Sequence, residues 1–394
     1  MAGRRRTRGA AALCLLLTPL AGCGGPTAAD TARTGVQRVL DQRSTALLHH
    51  DETAYGATGT RAEYARLRAL PLASWAYRVT GVHTTGSGAT ADAELRYRVA
   101  GYDKAPVSVH RTLTLSRAPH GRWYVTADRP AEKAGRQLWD EGTVTAVRGA
   151  HSLVLGTGQP AGTLRGYARL ADHAVPAVSG AWGTDWARRV VVLVPRTLQG
   201  MAGLLGSPAS DYRGIAAVTT GEVGGSGKAP ADRVVVNPEA YAVLGDLGKQ
   251  VVLTHETTHV ATRAHTTPAT PLWLSEGYAD WIGYLDTGRT AAEAAPELAR
   301  AVRAGHTPAG LPADGDFAFT GDPAKLARAY EGGWLACRMI AAHWGRSRLD
   351  AFYRAVGDHG ERSGALPQAL NQVLGTTPAA FTARWRQYVS DQLG

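Results

Sequence analysis

Two histidines and a glutamate lie at helical spacing in the second half of the chain. His255, Glu256 and His259 form the pattern H-E-x-x-H. Histidines four residues apart lie one turn above the other on one helix face, so both imidazoles can reach one Zn²⁺ ion. Glu256 then points at an open coordination position, where a general base can take a proton from water. The spacing therefore predicts a zinc site with Glu256 as its base. The alternative is a solvated His-Glu face on an ordinary helix.

The element that must carry these residues is a helix that begins near Asp246. Asp246 is placed to cap this helix, and Leu247, Val251 and Leu253 supply apolar positions. We expect the helix to end before Pro268, because proline interrupts helical hydrogen bonding. From this helix onward, the chain is predicted to be helical to its C-terminus.

A second segment resembles a known family. Residues Trp273 to Trp281 read W-L-S-E-G-Y-A-D-W and are similar to the W-L-x-E-G-x-A-[DE] segment of the gluzincin clan of zinc metallopeptidases. The resemblance implies that Glu276 is the third zinc ligand, carried by a second helix. By similarity to the thermolysin-like pattern, Asp280 would hydrogen-bond the far nitrogen of a zinc-binding histidine. The alternative is that Glu276 and Asp280 form a charged surface pair.

Two features bear on the type of peptidase. Sixteen residues separate His259 from Glu276, fewer than in the thermolysin or aminopeptidase families, so residues 146–394 better resemble a broader peptidase-MA-like group. The sequence lacks the G-x-M-E-N strand that anchors the free amine of the substrate in zinc aminopeptidases. The predicted substrate-edge strand runs from Gly214 to Glu222, and Glu222 is only a weak substitute for that anchor. We therefore expect an endopeptidase.

The last candidate lies on a predicted helix from Pro323 to Trp344, capped by Asp322. Tyr330 to Trp334 read Y-E-G-G-W and resemble the Y-E-x-G-[FW] segment of gluzincin aminopeptidases, in which the tyrosine hydroxyl stabilises the oxyanion. Tyr330 also belongs to an apolar stripe at helical spacing. Two roles therefore stay open for Tyr330, an oxyanion donor and a core residue.

Strand patterns dominate the region before the zinc motif. Apolar residues at helical spacing first predict helices, and alternating runs then predict four antiparallel strands. These strands are predicted at Ala76–His83, Ala91–Ala100, Val107–Ser116 and Trp123–Ala127. The arrangement resembles the cystatin-like and nuclear-transport-factor-like domains, in which helices pack on a curved antiparallel sheet. Short apolar runs between residues 153 and 236 predict a strand-rich lobe ahead of the helical lobe. The chain is therefore predicted to be α+β.

The length of the chain predicts more than one domain. Its 394 residues exceed what one hydrophobic core usually serves. The predicted segments are a signal peptide (1–22), a tether (23–33), a cystatin-like domain (34–130), a linker (131–145) and a gluzincin domain (146–394).

The N-terminus resembles a bacterial lipoprotein signal. Four arginines lie within residues 1–8, and an apolar run from Ala10 to Leu20 follows that is too short to span a bilayer. Residues 20–23 read L-A-G-C and resemble a lipobox, which implies lipid attachment at Cys23. An ordinary signal peptide is the alternative. We therefore expect an extracytoplasmic protein anchored to the cell membrane by its N-terminal lipid.

Charge and chemistry together define the expected function. The formal net charge is +10, but four of the positive charges lie in the predicted signal, and no later run of Lys or Arg exceeds a dipeptide. No nucleic-acid partner is therefore expected. We expect a zinc peptidase that acts on a peptide or protein substrate. The alternative is a catalytically silent binding lipoprotein with a structural zinc site, and Glu256 beside an open coordination position favours the enzyme.

Overall fold

The structure is a computed structural model, which describes residues 28–118, 121–220, 231–319 and 322–394. Cys23, the predicted signal peptide and Glu222 lie outside the described residues. Helices and an antiparallel sheet come first, a second, mixed sheet follows, and helices continue to the C-terminus. The predicted α+β fold class is confirmed.

The first part consists of three helices and a four-stranded antiparallel meander. The elements are α1 (Ala28–Leu48), α2 (Glu52–Thr58), α3 (Ala62–Leu67), β1 (Leu72–Thr85), β2 (Gly88–Val99), β3 (Val107–Arg117) and β4 (Trp123–Pro130). Alternate residues of β2, such as Leu95 and Tyr97, are buried, as expected for a sheet with one face on a core. At the outer edge of β1, the Gln37 amide accepts from Val79 N (2.9 Å) and donates to Tyr77 O (2.8 Å). This side chain covers part of an otherwise open strand edge.

The second part is a five-stranded sheet with flanking helices. Its elements are α4 (Leu138–Glu141), β5 (Val144–Arg148), β6 (Ser152–Thr157), α5 (Ala161–Trp182), β7 (Val190–Val194), α6 (Leu198–Leu205), β8 (Ala217–Thr219), β9 (Val234–Val236) and α7 (Pro238–Ala242). The strand order is β5-β6-β7-β9-β8. The three central strands are parallel, while β5 and β8 pair antiparallel at the two edges. The central strands are largely buried and rich in valine, which is typical of strands covered on both faces.

The two sheets are packed together. Trp139 of α4, in the predicted linker of residues 131–145, is buried in the apolar cluster that forms the core of the first sheet. Val191 of β7 belongs to the same cluster. An ion pair of 2.7 Å joins Asp103, after β2, to Arg233, the residue before β9. The first part therefore rests directly on the sheet that leads to the zinc motif.

The third part is helical. Its helices are α8 (Asp246–Thr262), α9 (Leu272–Gly283), α10 (Ala291–Ala294), α11 (Pro296–Arg303), α12 (Pro323–Trp344), α13 (Arg346–Gly357), α14 (Ala365–Leu374) and α15 (Pro378–Leu393). Asp246 does not cap α8 as predicted, because Gly245 occupies the cap position and makes no side-chain hydrogen bond. At α12 the predicted bounds are those of the structure, and Asp322 accepts from Ala324 N at 2.9 Å. No described helix is both long and apolar enough to cross a membrane.

Replacing Arg111 should destabilise the first part. Arg111 is almost fully buried and binds Asp128 at 2.7 Å and Asp140 at 2.8 Å. Arg111→Met leaves both carboxylates without their cation, so we expect the free energy of unfolding to fall by about 3 to 5 kcal/mol. The control is Arg78→Met, because the Arg78 side chain is 69% exposed where it pairs with Glu94 and should contribute at most about 1 kcal/mol. Denaturant titration measures both changes, and equal effects would contradict this account of Arg111.

Candidate metal centre

Helix α8 holds the first half of the cluster. His255, Glu256 and His259 lie one turn apart or less on this helix, with Glu256 and His259 buried. The hydroxyls of the neighbouring threonines donate to carbonyl oxygens of the preceding helix turn, as Thr258 Oγ1 does to Thr254 O at 2.8 Å. These hydrogen bonds allow α8 to bury polar side chains without leaving the hydroxyls unsatisfied.

Helix α9 brings the second half of the cluster. It begins after Pro271, and its side chains at Leu274 and Tyr278 are fully buried in the core of the helical part. Glu276 and Asp280 lie one turn apart on the side that faces α8. The structure thus brings these two carboxylates to the H-E-x-x-H helix, rather than leaving them as a surface pair.

Two glycines let α9 approach α12. A Cβ on Gly333 would lie 2.6 Å from the carbonyl oxygen of Trp273, and a Cβ on Gly277 would overlap the backbone of Gly333. Only hydrogen atoms fit between the backbones at this contact. Gly277 follows Glu276 directly, and Gly333 is three residues after Tyr330. The close approach therefore sets the distance between two of the candidate site residues.

The three candidate ligands converge on one point. Among the described residues, His255, His259 and Glu276 are the one group of this kind whose ligand atoms all lie within 4.8 Å of one another. The two histidine Nε2 atoms are 3.0 Å apart, and Glu276 Oε2 lies 3.2 Å from the first and 3.4 Å from the second. Two ligands on a tetrahedral zinc ion are about 3.3 Å apart, given bonds of about 2.0 to 2.1 Å. The residues therefore fit a zinc ion in both spacing and donor type.

Asp280 orients His255. Its Oδ1 lies 2.7 Å from His255 Nδ1, which leaves Nε2 of the same ring facing the cluster. Burial opposes a charge on this imidazole, but Asp280 and Glu276 hold the pKa of His255 well above its usual value. Burial also opposes a charge on Glu276, yet His259 and His255 hold the pKa of this carboxyl below its usual value. The imidazoles and the carboxylates of the cluster therefore stabilise each other's charged forms.

Glu256 contacts the edge strand of the second sheet. Thr219 Oγ1, at the end of β8, donates to Glu256 Oε2 at 2.7 Å and lies 3.1 Å from Glu256 O. β8 falls within the predicted substrate-edge strand of residues 214–222. The contact with Thr219 was not predicted, because one threonine in a short apolar strand belongs to no motif.

Tyr330 lies beside the cluster on α12. The centre of its ring is 6.2 Å from that of His255 and 5.2 Å from that of Phe317. The side chain is half-buried and packs against the core of the helical part. Its position is compatible with both predicted roles, since the ring borders the candidate ligands and also packs in the core.

Glu331 has a structural role that the sequence did not indicate. Its carboxylate accepts from the backbone nitrogens of Glu297 (3.2 Å) and Leu298 (2.5 Å) in the first turn of α11. Burial raises the pKa of Glu331 to about 7, although these hydrogen bonds act in the opposite direction. The residue after Tyr330 therefore fastens α11 to α12.

Comparisons with known proteins give distant similarity only. No protein family matches the chain, and no curated protein matches it. One similar solved structure is a mutant of a two-domain M1 zinc metallopeptidase bound to L-arginine, with 16% identity and a TM-score of 0.35 over 82% of this chain and 63% of that chain. Another is a mutant M1 zinc metallopeptidase from Deinococcus radiodurans bound to a Tyr-Ser-Ala substrate, with 15% identity and a TM-score of 0.34 over 82% and 62%. The chain spans less than two thirds of either protein, and this similarity assigns it no family.

Adding one methyl group at the α9–α12 contact should disturb the cluster. Gly333→Ala forces the helices apart, so we expect about 1 to 3 kcal/mol of destabilisation and weaker zinc binding, because Glu276 moves with α9. The control is Gly180→Ala on α5, where a Cβ meets nothing within 4 Å and should stabilise the helix by up to about 1 kcal/mol. Thermal unfolding and zinc titration test both. Unchanged zinc affinity in Gly333→Ala would show that the contact does not position Glu276.

Proposed function

We propose that the protein is a zinc-dependent peptidase with Glu256 as its general base. The observation that supports this most is the convergence of His255 Nε2, His259 Nε2 and Glu276 Oε2, all within 3.4 Å of one another. Glu256 is buried next to this cluster. Three protein ligands leave one position of a tetrahedral ion for water or substrate, which is typical of catalytic zinc sites.

Each side chain has one task in this proposal. Zinc, when bound, polarises the scissile carbonyl and makes water more acidic. Glu256 accepts a proton from the attacking water and passes it to the leaving amine. Asp280 holds His255 in the tautomer that presents Nε2 to the metal. The hydroxyl of Tyr330 donates a hydrogen bond to the oxyanion that develops on the substrate.

A binding lipoprotein with a structural zinc site is the alternative from another class. Structural zinc sites are usually closed by four protein ligands. The cluster has three ligands among the described residues, and the carboxylate of Glu256 lies beside it without being one of them. Both features favour the peptidase.

For the type of cleavage we propose an endopeptidase, because the sequence lacks the G-x-M-E-N strand. An aminopeptidase is the alternative within the same class. Matched peptides with free and with acetylated N-termini separate the two. An endopeptidase cleaves both peptides, whereas an aminopeptidase requires the free amine.

We also propose that the mature protein is held outside the cytoplasmic membrane by a lipid on Cys23. The L-A-G-C segment supports this proposal. We expect mass spectrometry of the protein from membranes to show an N-terminal, lipid-modified Cys23, and Cys23→Ser to release the protein from the membrane. A mature protein that starts elsewhere and carries no lipid would contradict the anchor.

The ligand set predicts about one zinc ion per chain. His255→Ala, His259→Ala and Glu276→Ala should each lower zinc content strongly, whereas His343→Ala, at an exposed position on α12, should not. Glu256→Gln should keep zinc and abolish peptide hydrolysis, because it loses the base and no ligand. Metal analysis and a peptide-library cleavage screen measure these outcomes. Full zinc content in all three ligand variants, or wild-type cleavage by Glu256→Gln, would refute the assignment.

Tyr330→Phe separates the two roles of Tyr330. The change keeps the ring, so a packing role predicts near-normal activity and at most about 1 kcal/mol of lost stability. An oxyanion donor acts mainly in the transition state, so its loss should lower kcat by roughly two to three orders of magnitude with little change in KM or zinc content. We expect the second result. Activity within about threefold of wild type would show that Tyr330 has a packing role and is not the oxyanion donor.

A further inference from the structure

The edge strand β8 and the zinc-motif helix α8 meet through one buried hydroxyl. Thr219 is fully buried, and its Oγ1 lies 2.7 Å from Glu256 Oε2 and 3.1 Å from Glu256 O. A hydroxyl has one proton to donate, and the shorter contact is to the charged acceptor. The carboxylate of Glu256 is therefore its main partner.

A second connection holds the end of this strand over α8. Arg263 follows the last residue of α8, and its guanidinium donates to Thr220 O at 2.7 Å and to Asp232 Oδ1 at 2.9 Å. Thr220 directly follows Thr219. These hydrogen bonds join the strand segment to the helix at the carboxylate of Glu256 and again beyond His259.

We propose that Thr219 is a positioning residue, which fixes the carboxylate of Glu256 relative to the edge strand. This inference rests on the proposed peptidase function and deepens it. A carboxylate with one oxygen bound to a rigid strand cannot rotate freely about its last bond. A proton transfer needs the base within hydrogen-bond reach of the water, so a misplaced carboxylate slows the chemical step. We expect the substrate to lie along this strand. The hydrogen bond from Thr219 therefore fixes the position of the general base relative to the substrate.

The alternative role of Thr219 is structural, because a buried carboxylate oxygen needs a donor in any case. The two roles differ in what changes when the hydroxyl is lost. A structural role lowers stability or zinc content together with activity. A positioning role lowers kcat alone, and restoring a hydroxyl on a smaller side chain restores kcat.

The test uses Thr219→Val, which keeps the shape of the side chain without the hydroxyl, and Thr219→Ser, which keeps the hydroxyl. We expect Thr219→Val to lower kcat about ten- to a hundredfold, as for a lost hydrogen bond to a charged group, with KM and zinc content within about twofold. Thr219→Ser should stay within about threefold of wild type. The control is Thr262→Val on α8. Thr262 is also buried, and its hydroxyl donates to Thr258 O, so we expect this change to leave kcat unchanged.

Crystal structures of the wild-type and Thr219→Val proteins provide a readout that does not depend on activity. We expect Glu256 to turn away from its wild-type orientation in the variant. An unmoved Glu256, or a kcat for Thr219→Val within about threefold of wild type, overturns the inference. If the wild-type protein cleaves no peptide, the proposed function fails, and the orientation of Glu256 in the two crystal structures still decides whether Thr219 positions it.

Discussion

The backbone contact between α9 and α12 is the constraint on which the rest of the site depends. Helices usually keep their axes about 8 to 10 Å apart because side chains lie between them. Gly277 and Gly333 remove those side chains where the two helices meet. Each glycine lies in a segment that also carries a candidate site residue, Glu276 on one helix and Tyr330 on the other. The candidate site residues and the glycines of the helix contact therefore belong to the same two short segments.

The sequence indicated those parts of the candidate site that belong to motifs. The spacing of His255, Glu256 and His259 follows from helix geometry alone, and the structure places them on one helix. Glu276 and Asp280 were found through a resemblance, because two carboxylates one turn apart are common on helix surfaces. The long helices and the regularly alternating strands were also predictable, since each contains several periods of its pattern.

What the sequence did not reveal depends on contacts between distant segments. Thr219 and Glu256 are 37 positions apart in the sequence, and Glu331 and its partner Leu298 on α11 are 33 positions apart. No local sequence pattern indicates either contact. The cap of α8 was misassigned because Asp246 and Gly245 are neighbours that both suit a helix start. The segment of residues 131–145 was predicted as a linker from its charges, although Trp139 within it is buried. Burial of this kind depends on the partner sheet.

The ion pair between the two sheets has a consequence for how this architecture evolves. Asp103 and Arg233 are both buried. The backbone nitrogen of Arg233 donates to Thr220 Oγ1 at 2.9 Å, and Thr220 directly follows Thr219, whose hydroxyl contacts Glu256. An exchange of the N-terminal sheet for an unrelated domain would leave the guanidinium buried without a counter-ion. A successful exchange must either bring its own carboxylate to the same place or be accompanied by the loss of the Arg233 charge. The two parts are therefore expected to be inherited together rather than to recombine as independent modules.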